Sequence, residues 1–500
     1  MSRKFTIVLG IIFAFLCVPS YLVAQSLKIG VISDLHYMAP SLLVEKGTAF
    51  ENKMRTDRKL LEESPAILKA AVEQLIKEQV GLVLIPGDLT KDGELASHEG
   101  VVEVLKPLLD KGIKVLVVPG NHDINNPHAV SFHGNTTTPV PTVTAAEFRE
   151  IYSDFGFNTA LLNDSQSLSY VSEPVEGLRI LCIDDCDYDH NLFISKGDSH
   201  DFCSGKGLIK PETRLWMQQQ IEEARTQGKQ VLAIMHHNVV EHFDYESAFP
   251  DYMTENSTEV QQAFMKAGLT TIFTGHFHAM DIARADDKSG NHLYDIETGS
   301  LVTYPCSYRI LELSGDSMKI ESRQLGKIES TLPDHVDFQT YAHNEAVKRM
   351  SNLVLGLVDQ YYQQLSASVP KYAASFVTIP DKNELKQMVS THILSDCTDL
   401  ILAHYHGNEN QSDSAQYKRD KFLADIDDLI HDFARESSGM LYPVTEKTIE
   451  NADATKRIKD IVISIWDDKT GPDYPKKDYP GQPHEAVNDL NLVIALSKKP

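Results

Sequence analysis

Between Leu27 and about Asp123, short β-branched runs (KIGVIS, LVLIPG, KVLVVPG) alternate with longer stretches of helical period (ILKAAVEQLIK, VVEVLKPLL). In the first helical stretch Leu68, Val72, Leu75 and Ile76 recur at helical spacing, whereas the runs around it are brief and stopped by Gly or Pro. A chain with this rhythm has few architectures open to it, because parallel strands need crossover helices that cover the sheet. The runs RILCID, VLAIM and TIFTG continue the pattern, and LYDIETGS, YRILELS and MKIESRQL alternate as antiparallel strands of a closing second sheet would. The expected fold is α/β, a two-sheet sandwich flanked by helices over residues 25–330.

After Pro333 the texture changes. HNEAVKRMSNLVLGLVDQYYQQL, KNELKQMVSTHILSDCTDLILAHY and YKRDKFLADIDDLIHDFAR each carry a helical period, which predicts a C-terminal all-α helical domain over 331–500. A last helix is expected at EAVNDLNLVIAL, reached through the Pro- and Gly-rich surface connection GPDYPKKDYPGQP. With 500 residues at 42% hydrophobic, there is material for these two units.

Compartment and partners follow from the N-terminus and the charge. Arg3 and Lys4 precede an uncharged apolar run from Phe5 to Val18, then Pro19-Ser20 and a small-residue end at Ala24. This is the pattern of a signal peptide over residues 1–24, so a secreted chain is expected, periplasmic or extracellular, with an uncleaved anchor as the alternative. The run is short for a membrane span, and no transmembrane segment is expected in the mature chain. With 47 Lys+Arg against 71 Asp+Glu, the net charge of -24 has the wrong sign for gripping a nucleic-acid polymer non-specifically. Any anionic substrate must meet local positive charge, which metal ions can supply. Six cysteines, one of them Cys17 in the leader, do not make a disulfide framework in so long a chain. One pairing, Cys186 with Cys203, stays open, while Cys182 sits in an apolar run and is expected to be buried.

Five clusters carry chemistry, each just after a predicted strand: Asp34-Leu35-His36, Gly87-Asp88, Gly120-Asn121-His122-Asp123, His236-His237 and Gly275-His276-Phe277-His278. All five are placed at one edge, since ligands in α/β sheets bind beyond the carboxyl ends of the strands. Carboxylate, amide oxygen and imidazole without thiolate are the donors of Mn, Fe or Zn, and there are too many for one ion. Two metal ions bridged by a carboxylate would use them all, turning a bridging water into hydroxide for in-line attack on phosphorus.

The ordered series D-x-H, G-D, G-N-H-D, H and G-H-x-H resembles the calcineurin-like metallophosphoesterases, with class III cyclic-nucleotide phosphodiesterases the most similar group within them. The resemblance implies that Asp34, His36, Asp88 and His278 hold one metal. Asp88, as the bridge, would hold the other with Asn121, His236 and His276. It further implies that His122 contacts the phosphate and protonates the leaving oxygen, with Asp123 orienting its imidazole. Spacing leaves His236 or His237 open as the ligand. Asn238-Val239 stands where the family often continues with Pro, which puts the substrate-side loop in doubt.

Other polar residues have plainer expectations. The acidic segment Asp184 to His190 is expected to be a solvated loop, and His242, His343, His404 and His406 surface residues, while His190, His200 and Asp201 belong to an insertion able to overhang the site. The expected function is an exported phosphodiesterase acting on a small-molecule phosphoester. A phosphomonoesterase, a glycerophosphodiesterase and a non-enzymatic binding scaffold are its competitors, and the oligomeric state is open.

Overall fold

The computed structural model describes residues 26–193, 205–249, 251–333, 336–368, 377–407, 409–410, 414–468 and 487–496. The expected signal peptide, Cys203, His200, Asp201 and the GPDYPKKDYPGQP connection lie outside them. Two sheets pack with helices in an α/β arrangement. Along the first, the strands run in the order Asn491–Ala495, Ser317–Gln324, Ser307–Ser314, Leu27–Val31, Leu82–Pro86, Lys114–Val118. The last three are mutually parallel, joined through helices Ser64–Lys77 and Leu95–Asp110. Strand Leu82–Pro86 is buried throughout, which is why it reads as an unbroken apolar run.

The second sheet contains Ile282–Asp286, His292–Glu297, Thr271–Thr274, Gln230–Ile234, Leu178–Cys182, Tyr170–Val175 and Leu162–Asn163, in that order. Its four middle strands are parallel. The three late runs expected to close a second sheet together are instead divided. His292–Glu297 pairs in parallel with Thr271–Thr274, while Ser307–Ser314 and Ser317–Gln324 form a hairpin laid antiparallel on Leu27–Val31 of the first sheet. Alternation shows which face of a strand is buried and is silent on its neighbour.

The C-terminal region is helical from residue 338 onward: Phe338–Ser368, Lys382–His392, Leu394–His406, Ala415–Ser438, Tyr442–Glu450 and Asp453–Asp467. Phe422, Ile426, Ile430, Val462 and Trp466 build a core that also takes in Phe243 of the sheet domain, with Phe277 packed against it. The expected final helix is a correction: Asn491–Ala495 is a strand paired antiparallel with Ser317–Gln324. Its apolar run is too short for periodicity to separate strand from helix, and burying Ile494 and Leu496 against an open sheet edge decides the matter. No described helix is long and apolar enough to cross a membrane.

Candidate metal centre

The two sheets meet at the carboxyl ends of their parallel strands, and there the loops are stitched together by backbone. Asp34 N–H donates to Gly87 O (3.3 Å), His36 N–H to Asp88 O (2.9 Å) and Gly275 N–H to His236 O (3.0 Å). Asp34, His36, Asp88, His276 and His278 all take left-handed backbone conformations, with φ of 51°, 36°, 50°, 76° and 75°. Non-glycine residues rarely accept this, and such strain collects at functional sites. The glycines permit close approach: a Cβ on Gly120 would lie 2.2 Å from Asp88 N and Oδ1, and one on Gly87 2.5 Å from His236 Nδ1.

Two donor sets form around Asp88, itself 2% exposed. In the first, His36 Nε2 lies 3.1 Å from His278 Nε2, 3.8 Å from Asp34 Oδ1 and 3.5 Å from Asp88 Oδ2, and His278 Nε2 lies 3.3 Å from Asp34 Oδ1. In the second, His236 Nε2 lies 3.0 Å from Asn121 Oδ1, 3.1 Å from His276 Nδ1 and 3.4 Å from Asp88 Oδ2. The outer nitrogens fix the tautomers of this pair. His236 Nδ1 donates to the Pro86 carbonyl (2.9 Å) and His276 Nε2 to the Asp251 carbonyl (2.6 Å), so in the neutral rings both inner nitrogens present lone pairs to each other and to acceptor oxygens. Acceptors facing acceptors at 3 Å need a cation between them, and the donor types suit a divalent transition metal. Burial, and next the charge of Lys59, hold His36 well below its ordinary range; burial does the same for His276 and lowers His278, so these rings are neutral and able to ligate. Against burial, the charge of Asp88 lifts His236 to about 10, the pull a cation at this point would answer.

His237 stands beside the site, its ring centroid 4.4 Å from that of His276. Its Nδ1 lies 3.1 Å from Asp185 Oδ2 and its Nε2 2.7 Å from Gly205 O, so both nitrogens are spent.

His122 lies at the mouth. Its backbone N–H donates to Asp88 Oδ1 (2.9 Å), its Nδ1 faces Asp92 Oδ1 (2.9 Å), and its Nε2 is 3.4 Å from Lys59 Nζ and 3.9 Å from Asp88 Oδ2. The carboxylate against the His122 ring is therefore Asp92, not the Asp123 expected there. Asp123 is wholly buried and accepts from Gly120 N, Leu89 N, Thr90 N and Thr90 Oγ1, tying the Gly-Asp loop to the Gly-Asn-His loop. With four donors to satisfy, its carboxylate points inward, away from the neighbouring ring. Asp92 escaped notice because a lone Asp-Gly four residues past Asp88 reads as a turn.

Lys59 and Arg58 were missed for a related reason: they lie on a connecting segment with no motif. Burial lowers the Lys59 ammonium, and the helical region holds its segment in place. Arg349 donates to Lys59 O (2.8 Å) and Asp57 O (3.3 Å), Asn352 to Arg55 O (3.0 Å), and Arg58 donates to the Tyr405 hydroxyl. The C-terminal helices thus buttress a cationic edge of the centre.

Several expected surface groups are buried. Asp185 is not solvated: it accepts from His236 N and His237 N (each 3.2 Å) and so anchors the double histidine. Asp184 accepts from Leu168 N and the Tyr188 hydroxyl, and burial pushes it up to about 6. His242 pairs with Asp281 (3.1 Å) and His404 with Glu409 (2.8 Å), both inside the junction with the helices. His406, half-buried, faces Gln324 and Tyr304, while His343 is exposed as expected. Asn238 is buried against His242 and Thr274. Cys182 is buried as expected; Cys186 is buried too, a free thiol 3.5 Å from Pro119 O.

A model of the calcineurin-like phosphoesterase family matches residues 27–280, just over half of the chain. The chain belongs to that family. The clustered Asp and His groups of this calcineurin-like chain are candidates for a metal centre. A probable cyclic nucleotide phosphodiesterase of Vesicomyosocius okutanii subsp. Calyptogena okutanii is 34% identical over 68 residues, 14% of this chain and 28% of that protein. One of Ruthia magnifica subsp. Calyptogena magnifica is 39% identical over 59 residues, 12% and 24%. The chain matches only about a quarter of the length of these curated relatives. Among solved structures, a dimetal phosphatase from Danio rerio covers 60% of this chain and 97% of its own, at 18% identity and a TM-score of 0.42. A purple acid phosphatase of yellow lupin covers 60% and 52%, at 11% identity and 0.35.

Proposed function

We propose that this chain is an exported, dinuclear metal-dependent phosphodiesterase, with cyclic nucleotides as its leading substrate class. The observation that carries it is the pair of donor sets sharing Asp88, in which ring nitrogens and carboxylate or amide oxygens from distant loops converge within 3.0–3.5 Å of one another. Asp34, His36, Asp88 and His278 would hold one ion, and Asp88, Asn121, His236 and His276 the other, with Mn, Fe or Zn all suited to these donors. His236 rather than His237 takes the ligand role, because both His237 ring nitrogens already face oxygens of Asp185 and Gly205.

Bound there, two metals supply an activated water nucleophile and offset the charge of the phosphate. The protein's own part begins with His122. Its Nδ1 is held by Asp92, which leaves Nε2 at the mouth to pass a proton to the departing oxygen. Lys59, 3.4 Å from that Nε2, adds positive charge where a phosphate oxygen would sit, and favours a proton on the oxygen of the leaving group over one retained on the ring. Asp185 and Asp123 do not meet substrate; they fix the loops that carry the ligands. The diester preference draws support from the names of the two curated relatives, which this chain matches only in part. The leader-like N-terminus supports export.

The test compares turnover of a cyclic nucleotide, a glycerophosphodiester and a nucleotide monoester by the mature, metal-loaded chain. We expect the diesters to be cleaved with the cyclic nucleotide fastest. Hydrolysis of the monoester alone would overturn the diester assignment.

A further inference from the structure

Three residues past His278 the chain enters a second buried group of ionisable side chains, at the junction between the sheets and the helices. Asp281 precedes strand Ile282–Asp286, Glu409 follows helix Leu394–His406, Asp468 ends helix Asp453–Asp467, and Asp489 leads into strand Asn491–Ala495. None is more than 2% exposed. Backbone contacts gather the segments: Met280 N–H donates to His404 O (3.4 Å), Ile282 N–H to Asp489 Oδ1 (2.8 Å), and Gly407 sits so tightly that an added Cβ would lie 2.2 Å from Met280 O and 3.0 Å from Asp489 Cβ.

The carboxylates outnumber the charges that answer them. Arg309 is wholly buried here, yet its hydrogen bonds go to Ser322 Oγ and to the carbonyl oxygens of Asp489, Asp281 and Glu297, none to a carboxylate. His242 is shared between Asp281 (3.1 Å) and Asp295 (3.8 Å). His404 Nδ1 serves Glu409 Oε1 (2.8 Å) and lies 3.5 Å from Asp281 Oδ2. Glu409 Oε2 and Asp468 Oδ1 are buried with no hydrogen-bond partner among the described residues, although the other oxygen of each is satisfied, by His404 and by Asn410 (2.8 Å). A buried carboxylate oxygen with no donor is an uncompensated desolvation, and native interiors rarely keep one without a ligand. Burial, followed by the charges of Asp281 and Glu409, pushes Asp468 up to about 10, and burial with the charges of Asp281 and Asp468 raises Asp489 as well.

We propose that Asp281, Glu409, Asp468 and Asp489 form a buried site for one calcium ion, separate from the dinuclear centre, that fastens the helical region to the sheet edge. Carboxylate oxygens from four segments in irregular geometry match the hard, flexible coordination of calcium, whereas transition metals favour imidazole and thiolate. The ion would tie the two last helices and the final strand to the strand behind His278, and it stands independently of the phosphodiesterase reading.

The experiment titrates calcium into the full chain, already loaded with Mn at its centre, by calorimetry, and records thermal melting with and without calcium. One equivalent of calcium per chain and a rise in Tm of about 5 °C at saturation are expected. Glu409→Gln combined with Asp468→Asn should abolish both, as should Asp468→Asn alone to a lesser extent, whereas Asp88→Asn should keep them. No calcium bound by the wild-type chain, binding that survives in the double variant, or binding lost in Asp88→Asn would each overturn the site. Tighter binding of magnesium than calcium would overturn the choice of ion. The wild-type titration decides the question even where a variant fails to fold.

Discussion

Replacing Asp88 by Asn is expected to lower phosphodiester turnover by more than about 10³-fold, above what loss of a single electrostatic contact usually costs. Its Oδ2 lies 3.5 Å from His36 Nε2 and 3.4 Å from His236 Nε2, so one carboxylate serves both donor sets. An amide carries no charge to bridge two cations, and both sites weaken together. Metal content measured on the purified variant should fall at both positions. Fold should persist, because Oδ1 takes the His122 N–H (2.9 Å) and an amide oxygen can still accept it. A variant with full metal content and unchanged turnover would remove Asp88 from the centre.

The second large effect belongs to His122. His122→Ala should retain both metals and lose turnover by roughly 10²–10⁴-fold, the range of a positioned acid. The loss should be greatest on diesters with poor leaving groups, which need the proton most, and least on a nitrophenyl diester. Asp92→Asn should fall in between, by roughly 10–100-fold, as a group acting through the ring it orients. Against burial, Lys91 and Lys53 hold Asp92 well below its ordinary range, so it stays charged beside the ring it orients. Emptying of the metal sites in His122→Ala would show that this residue is a ligand, a geometry its place beside His36 and Asp88 allows.

What the sequence conveyed about this site, and what it withheld, follow one physical line. Asp34, His36, Asp88, Asn121, His236, His276 and His278 all lie within five residues of the end of a strand, so strand prediction alone placed them on one edge. Asp92, Asp185 and Lys59 act through contacts between segments far apart in sequence, or lie on connections with no period, and nothing local marks them. Asp123 was misread in the opposite sense: adjacency to His122 in sequence is not adjacency of side chains, and its four donors all come from backbone or Thr90 on the other side of the turn. His404, on helix Leu394–His406, looked like a surface residue because the rings packed against it, Phe243 and Phe277, lie more than a hundred residues away, and His242 because its carboxylate partners Asp281 and Asp295 come from other segments. The late strands show the same limit, since Ser307–Ser314 chose the first sheet by a pairing that its own alternation could not express.

The most direct test strips the chain of metal and restores Mn in measured equivalents while following hydrolysis of a chromogenic phosphodiester. The dinuclear reading predicts no turnover in the stripped chain, little at one equivalent, and activity that saturates at two. Turnover that survives stripping, or that saturates at a single equivalent, would contradict a centre in which Asp88 joins two ions.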